Sequence, residues 1–383
     1  MQKGDIINGY RILRDFSTAG GGLSKWSFAE KGGKEYFIKE FLSPKYPTED
    51  APGSAKSKER KRRACERFEN HHRALMDRIN ERCGKGGNLV FTIDFFRVGT
   101  TYYKVTEKID TASLSPEDIS RLPLSNRLLI LKTIAHSLQI LHRAGIVHGD
   151  LKPGNILIKQ TKTNLYTTKL IDFDNSYLIG QPPEFSEDLV GDMVFYSPEV
   201  AAYVQGSEAV TPEMLTDKAD IFSLGLVFCL YLTGELPKYP AKYGYPALAA
   251  WAGHTLRLPV ADLPYKLKRL VNDMLRLHPH ERPDIATVFD TLKSIKSDEP
   301  YERAPLPEHE TAEDKHPAEE TPPASPLKGT LLRKVSALSA GAAGPDPAES
   351  TDEKKLPESP EKPTLRGKGL RLGLGGKDEK DIP

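Results

Sequence analysis

His148-Gly-Asp-Leu-Lys-Pro-Gly-Asn155, followed after a short gap by Ile171-Asp-Phe-Asp174, decides how this chain is read. The two stretches place acids, a lysine and an amide beside apolar runs that read as strands. Asp150 precedes Asn155 by five residues, with Pro153-Gly154 between them. Pro-Gly favours a turn, so both side chains can face one cavity from a compact loop. Asn155 to Lys159 reads as a short strand and Thr168 to Phe173 as a second, together a hairpin. Its far end returns Asp172 to the side of Asn155. A carboxylate and an amide oxygen there suit Mg²⁺, which takes one or two protein oxygens together with substrate phosphates. Asp and Asn are common in turns for other reasons, but so many ordered positions followed by Asp-Phe are hard to reach by chance.

The rest of the chain sets bounds on that reading. It has 383 residues and a formal net charge of +1, so no global field argues for nucleic acid or a membrane surface as a partner. Cys65, Cys83 and Cys229 are an odd number without close pairing. They suit a reducing compartment, here the cytoplasm, and give no metal-site spacing. The start, MQKGDIINGY, lacks an apolar signal core. The longest apolar stretch, Ile221 to Thr233, is shorter than the ~20 residues that span a bilayer and reads as a buried core helix. From about Ser297 onward there is no Phe, Trp or Cys, and Tyr301 is the single Tyr. Pro, Glu, Lys, Ala and Gly dominate residues 297–383. Such a segment buries too little apolar surface to offset the entropy of ordering, so a disordered tail is expected there.

Within the folded part, about residues 6 to 296, the first hundred residues look strand-rich. Tyr10-Arg-Ile-Leu, Lys25-Trp-Ser-Phe-Ala and Tyr36-Phe-Ile-Lys are separated by glycine-rich turns. Asn88 to Phe96 and Thr101 to Thr106 continue the pattern. Lys58 to Glu81, rich in Arg, Glu, Lys and Ala, predicts one helix among them. Beyond residue 110 the pattern turns helical, with Leu128, Leu131, Ala135, Leu138 and Leu141 on one face.

This order and these motifs resemble the protein kinase superfamily, in its serine/threonine form. The resemblance implies an α+β, two-lobed fold: a β-rich N-lobe over 6–108, a mainly helical C-lobe over 109–296, and the tail. It implies ATP and Mg²⁺ as cofactors and a protein hydroxyl as acceptor. Asp150 would accept or orient the hydroxyl proton, and Lys152 would stabilise charge on the transferred group. Asn155 and Asp172 would hold the metal. Lys39 would pair with the nucleotide phosphates, with Gly20, Gly21 and Gly22 as the phosphate loop before it. Glu107 and Ile109 would meet the adenine through their backbone, with Thr106 behind the pocket. Lys39 needs a carboxylate partner from the helix. Glu69 is preferred to Glu66 because it shares a face with Met76 by the seven-residue step. Asp220, Glu199 and Arg282 match structural positions of the family, and the Glu199–Arg282 pair disfavours a small-molecule kinase.

Four departures carry information. The glycine loop keeps little of the family's pattern. Gly149 stands where the family has an arginine that binds an activation-loop phosphate, so loop phosphorylation should be a weaker switch. Asp174 replaces a glycine and is expected to restrict the loop, the alternative being an added oxygen near the metal. Asp192 replaces a threonine and is expected to accept a bond from Lys152. Together they motivate an alternative, a pseudokinase or nucleotide-binding scaffold. Thr18-Ala-Gly-Gly-Gly, Phe37 to Leu42 and Tyr46-Pro47 resemble a bacterial kinase group that acts with a metal-dependent phosphatase and a von Willebrand-type protein, as in tellurite-resistance-like systems. The tail repeats Lys-x-Thr-Leu-x-x-Lys at Thr330 and Thr364. These are candidate autophosphorylation sites or docking sites for a phosphothreonine-reading partner.

Overall fold

The computed structural model describes residues 1–18, 24–83, 88–109, 113–161, 165–183 and 185–296. The expected glycine loop at Gly20 to Gly22 and the expected tail at 297–383 lie outside the described residues.

Six strands form one antiparallel sheet: β1 (Ile6–Ile7), β2 (Tyr10–Ile12), β3 (Ser24–Lys31), β4 (Lys34–Phe41), β5 (Thr92–Val98) and β6 (Thr101–Glu107). Their order is β1-β2-β3-β4-β6-β5. The β3–β4 hairpin turns through Gly32 and Gly33, both at positive φ, between the paired Lys31 and Lys34. A two-residue turn of this hand needs positive φ at both positions, and glycine takes it without strain. That turn fixes the register that puts Lys39 opposite Trp26 on one side and opposite Lys104 of β6 on the other.

Helix α1 (Ala55–Arg82) lies between β4 and β5 in the chain, close to the helix expected over 58–81. Ser54 caps it by accepting from the Ser57 amide. Its buried side is narrow: Cys65, His72, Leu75 and Ile79, at three-, four- and seven-residue steps. Phe68, His72, Phe41, Phe95 and Tyr102 form one aromatic cluster between α1 and the sheet.

The remaining elements are mostly helical. They are α2 (Pro116–Ser120), α3 (Leu124–Arg143), β7 (Ile146–Val147), the hairpin β8 (Ile156–Gln160) and β9 (Tyr166–Leu170), and β10 (Tyr177–Leu178). After these come α4 (Pro198–Val204), α5 (Lys218–Thr233), α6 (Pro246–Trp251), α7 (Tyr265–Met274) and α8 (Ile285–Ser294). The five α3 residues read as one face are all buried. Helix α5 is buried all round, as a helix apolar on every face requires. Among the described residues no helix is long and apolar enough to cross a membrane. The hairpin is the one expected, except that β9 ends at Leu170 rather than Phe173. The reason is local: Asp172 takes a left-handed conformation, φ 63° and ψ 69°, which ends an extended strand.

Candidate functional site

The β8–β9 register opposes Ile156 to Leu170, and the Ile171 amide donates to the Asn155 carbonyl at 3.0 Å. Asn155 and Asp172 are thereby brought to neighbouring positions by backbone pairing alone. The loop of Asp150 is tied down from below. Asp220, buried near the start of α5, accepts from the amides of His148 (2.7 Å) and Gly149 (3.0 Å). His142 Nε2 lies 2.9 Å from the same carboxylate. The two loops are also joined to each other. Ser176 Oγ donates to the His148 carbonyl at 2.9 Å, and β7 pairs with β10. The His148 ring packs on Phe173.

Asp150 is buried and serves as a hub. It receives Lys152 Nζ at 2.9 Å, Asn155 Nδ2 at 2.9 Å and the Asp192 amide at 3.3 Å. Burial raises its carboxyl above the ordinary value, and Lys152 partly offsets that. A carboxylate moved this way is a better proton acceptor than a free one. Asn155 directs its amide nitrogen at Asp150 twice, at the carbonyl (2.8 Å) and the carboxylate. That leaves its oxygen for another ligand. With the Asp172 carboxylate alongside, the donor set is two hard oxygens, which fits Mg²⁺ shared with nucleotide phosphates.

Lys39 reaches this cluster from β4. Its Nζ lies 2.9 Å from both Asp172 oxygens and 2.6 Å from Asp174 Oδ2. Burial alone would lower its pKa, but Asp174 and then Asp172 reverse that and raise it. Lys104, from β6, bonds the other Asp174 oxygen. Burial would raise the Asp174 carboxyl, and Lys104 and Lys39 outweigh it and hold it well below the carboxylate range.

Two expected contacts are not formed. Lys39 does not pair with Glu69 or with Glu66. Glu69 bonds Arg73 at 2.8 Å and the Tyr102 hydroxyl at 3.5 Å, and Glu66 is exposed. The helix presents Phe68 and His72 to the sheet instead, where their rings pack on Phe41, Phe95 and Tyr102. Lys152 does not bond Asp192 either. Lys152 is taken by Asp150, and the Asp192 carboxylate accepts from the Val194 amide at 3.0 Å.

Glu107 ends β6 and its side chain pairs with Lys169. Thr106 lies opposite Phe37, and Ile109 follows just outside the strand. Arg282 and Glu199 form a buried two-pronged pair at 2.7 and 2.8 Å. Sequence reasoning missed Lys104. The available signal was a lone lysine in Tyr-Tyr-Lys-Val, a strand whose neighbours are apolar or aromatic on both faces.

A β-rich N-terminal sheet, a helical C-terminal part and this cluster between them define a protein-kinase fold. The chain belongs to the protein kinase family: residues 56–292 match its protein kinase domain. That match begins after β4, so the placement of Lys39 rests on the geometry above. Serine/threonine-protein kinase PknA of Mycobacterium tuberculosis is 30% identical over 250 residues, covering 63% of this chain and 52% of that protein. Ovarian-specific serine/threonine-protein kinase Lok of Drosophila melanogaster is 30% identical over 220 residues, covering 56% and 41%. Serine/threonine-protein kinase A of a Synechocystis strain is 28% identical over 164 residues, covering 42% and 29%. The aligned part is thus about half of each relative's length or less.

Proposed function

We propose that this chain is an ATP-dependent serine/threonine protein kinase that transfers a phosphoryl group to protein hydroxyls, itself included. The observation that carries the reading is that Lys39 on Asp172, and Lys152 and Asn155 on Asp150, converge from β4 and from two loops that the Ile171–Asn155 backbone bond joins into one cluster. Catalysis of phosphoryl transfer is mainly positioning and charge stabilisation, and this cluster supplies both. Asp150 orients the acceptor hydroxyl and takes its proton. Lys152, held 2.9 Å from Asp150, faces the charge that develops on the transferred group. Lys39 and the backbone of Gly20 to Gly22 receive nucleotide phosphates, and the backbone of Glu107 and Ile109 receives the adenine. Asn155 and Asp172 hold Mg²⁺, which when bound neutralises phosphate charge.

In this reading residues 6–108 and 109–296 are the two kinase lobes, working in the cytoplasm. The tail presents Thr330 and Thr364 to a phosphothreonine-reading or phosphatase partner of the bacterial group described above. Labelled ATP with Mg²⁺ and a mixed protein acceptor tests the assignment. Asp150→Ala is expected to lower transfer by about 10²- to 10⁴-fold without abolishing nucleotide binding. Nucleotide binding with no transfer by the wild type would make the chain a scaffold instead.

A further inference from the structure

Lys39 and Lys104 are directly opposed across β4 and β6. Their side chains therefore leave the same face of the sheet. Both are largely buried, and two like charges so placed repel unless each is neutralised. The neutralising groups come from one three-residue stretch. Asp172 meets Lys39 with both oxygens and stands 3.7 Å from Lys104. Asp174 bridges the two lysines, one oxygen to each. Among the described residues no other acid pairs with either lysine. Helix α1 turns Phe68 and His72 to the sheet, while its Glu69 bonds Arg73.

We infer that Asp174 is the positioning residue for Lys39 in nucleotide binding, and that Lys104 holds Asp174 in place for that task. The inference rests on the nucleotide-binding reading above. Asp172 cannot serve the metal and keep both oxygens on Lys39. Asp174 has no second duty except to Lys104, so it keeps Lys39 directed at the phosphates when Asp172 turns away. The anchor then belongs to the same turn as the metal ligand, and the lysine is placed independently of α1.

Calorimetric titration of the full chain with Mg·ADP tests this, with melting temperature and phosphotransfer measured beside it. Asp174→Asn is expected to weaken nucleotide binding by roughly 10- to 100-fold, as Lys39→Met does, because it removes a charge-assisted bond. The double variant should be no worse than either single one. Asp174→Glu should recover part of the affinity, and Glu69→Gln and Glu66→Gln should stay within about 2-fold of wild type. If Asp174→Asn does not fold, Asp174→Asn/Lys104→Met removes both charges of the pair and must show the same loss. Wild-type affinity in whichever of these folds, or a loss in Glu69→Gln equal to that of Lys39→Met, would overturn the inference, as would a wild type that binds no Mg·ADP. If the wild type binds nucleotide with this pattern but transfers no phosphate, the kinase reading fails and the anchoring role stands.

Discussion

Gly149 separates two explanations for the missing arginine, chance loss and geometric exclusion. The residue sits at φ +77°, a conformation L side chains rarely adopt. A Cβ there would lie 2.3 Å from the Asn175 carbonyl oxygen and 3.4 Å from the Tyr177 ring. Left-handed backbone at a non-glycine residue costs about 1–2 kcal/mol. Relieving the contact means moving the Asn175 carbonyl, a rigid group, by an ångström or so, and such overpacking costs roughly 1–3 kcal/mol. Gly149→Ala should therefore lose about 2–5 kcal/mol in urea unfolding, with the larger value if Asp220 keeps the Gly149 amide bond. Activity should fall too, since Asn175 is three residues from Asp172 and misplacement by about 1 Å can cost ~10²-fold in rate. Gly149→Arg should be at least as damaging and should not install control by loop phosphorylation. A Gly149→Ala protein within about 0.5 kcal/mol of wild type, with unchanged turnover, would refute the argument.

Three other perturbations probe the same framework. Glu199→Gln strips the charge partner from a guanidinium that also donates to the carbonyls of Arg276, Lys218 and Leu277. It should cost about 3–5 kcal/mol in denaturant unfolding, and Glu199→Leu/Arg282→Met should cost less than the summed single changes. Asp220→Ala leaves the buried His148 amide and the half-buried Gly149 amide without their acceptor, at about 1–3 kcal/mol for the first and less for the second, and should lower stability and phosphotransfer together. His72 is held neutral, its pKa lowered to about 3 by burial first, with Lys104, His71 and Lys39 adding to it against Asp174. An unfolded histidine titrates near 6.5, so the unfolded state binds the extra proton between the two values and stability falls as pH drops below about 6.5. His72→Phe should remove that loss. Its stability relative to wild type should rise by about 1 kcal/mol per pH unit from pH 6.5 to 5, approaching about 1.4 kcal/mol per unit below that, read by urea titration at each pH. Parallel pH curves for the two proteins would count against a buried neutral His72.

The loops that carry Asp150, Asn155 and Asp172 were legible in the sequence because their geometry is local. Pro153-Gly154 makes the turn, and strand alternation makes the hairpin that returns Asp172. The Arg282–Glu199 pair was legible through family motifs, since no local rule joins residues so far apart. The partner of Lys39 was not legible. Helical periodicity places Glu69 on the side of Met76, yet a few tens of degrees of helix rotation decide whether Glu69 or His72 faces the sheet. Phe68 and His72 settle that rotation by packing against Phe41 and Phe95, contacts between elements that no helical pattern encodes. Lys104 was missed for a related reason: its meaning depends on strand register, which sets it opposite Lys39.

Read singly, Gly149, Asp174, Lys104 and His72 look like erosion of a kinase site. Their positions argue otherwise. An eroded site leaves buried charges unpaired, and here two buried lysines meet two aspartates with no charge left over. Removing one partner of a buried pair costs about 3–5 kcal/mol, so Asp174 and Lys104 are each hard to lose while the other remains. An acid at 174 without Lys104 would compete with Asp172 for Lys39 alone. A lysine at 104 without Asp174 would face Lys39 across the ladder. The two residues make sense only together, and a site kept together in this way has a use for the lysine it holds.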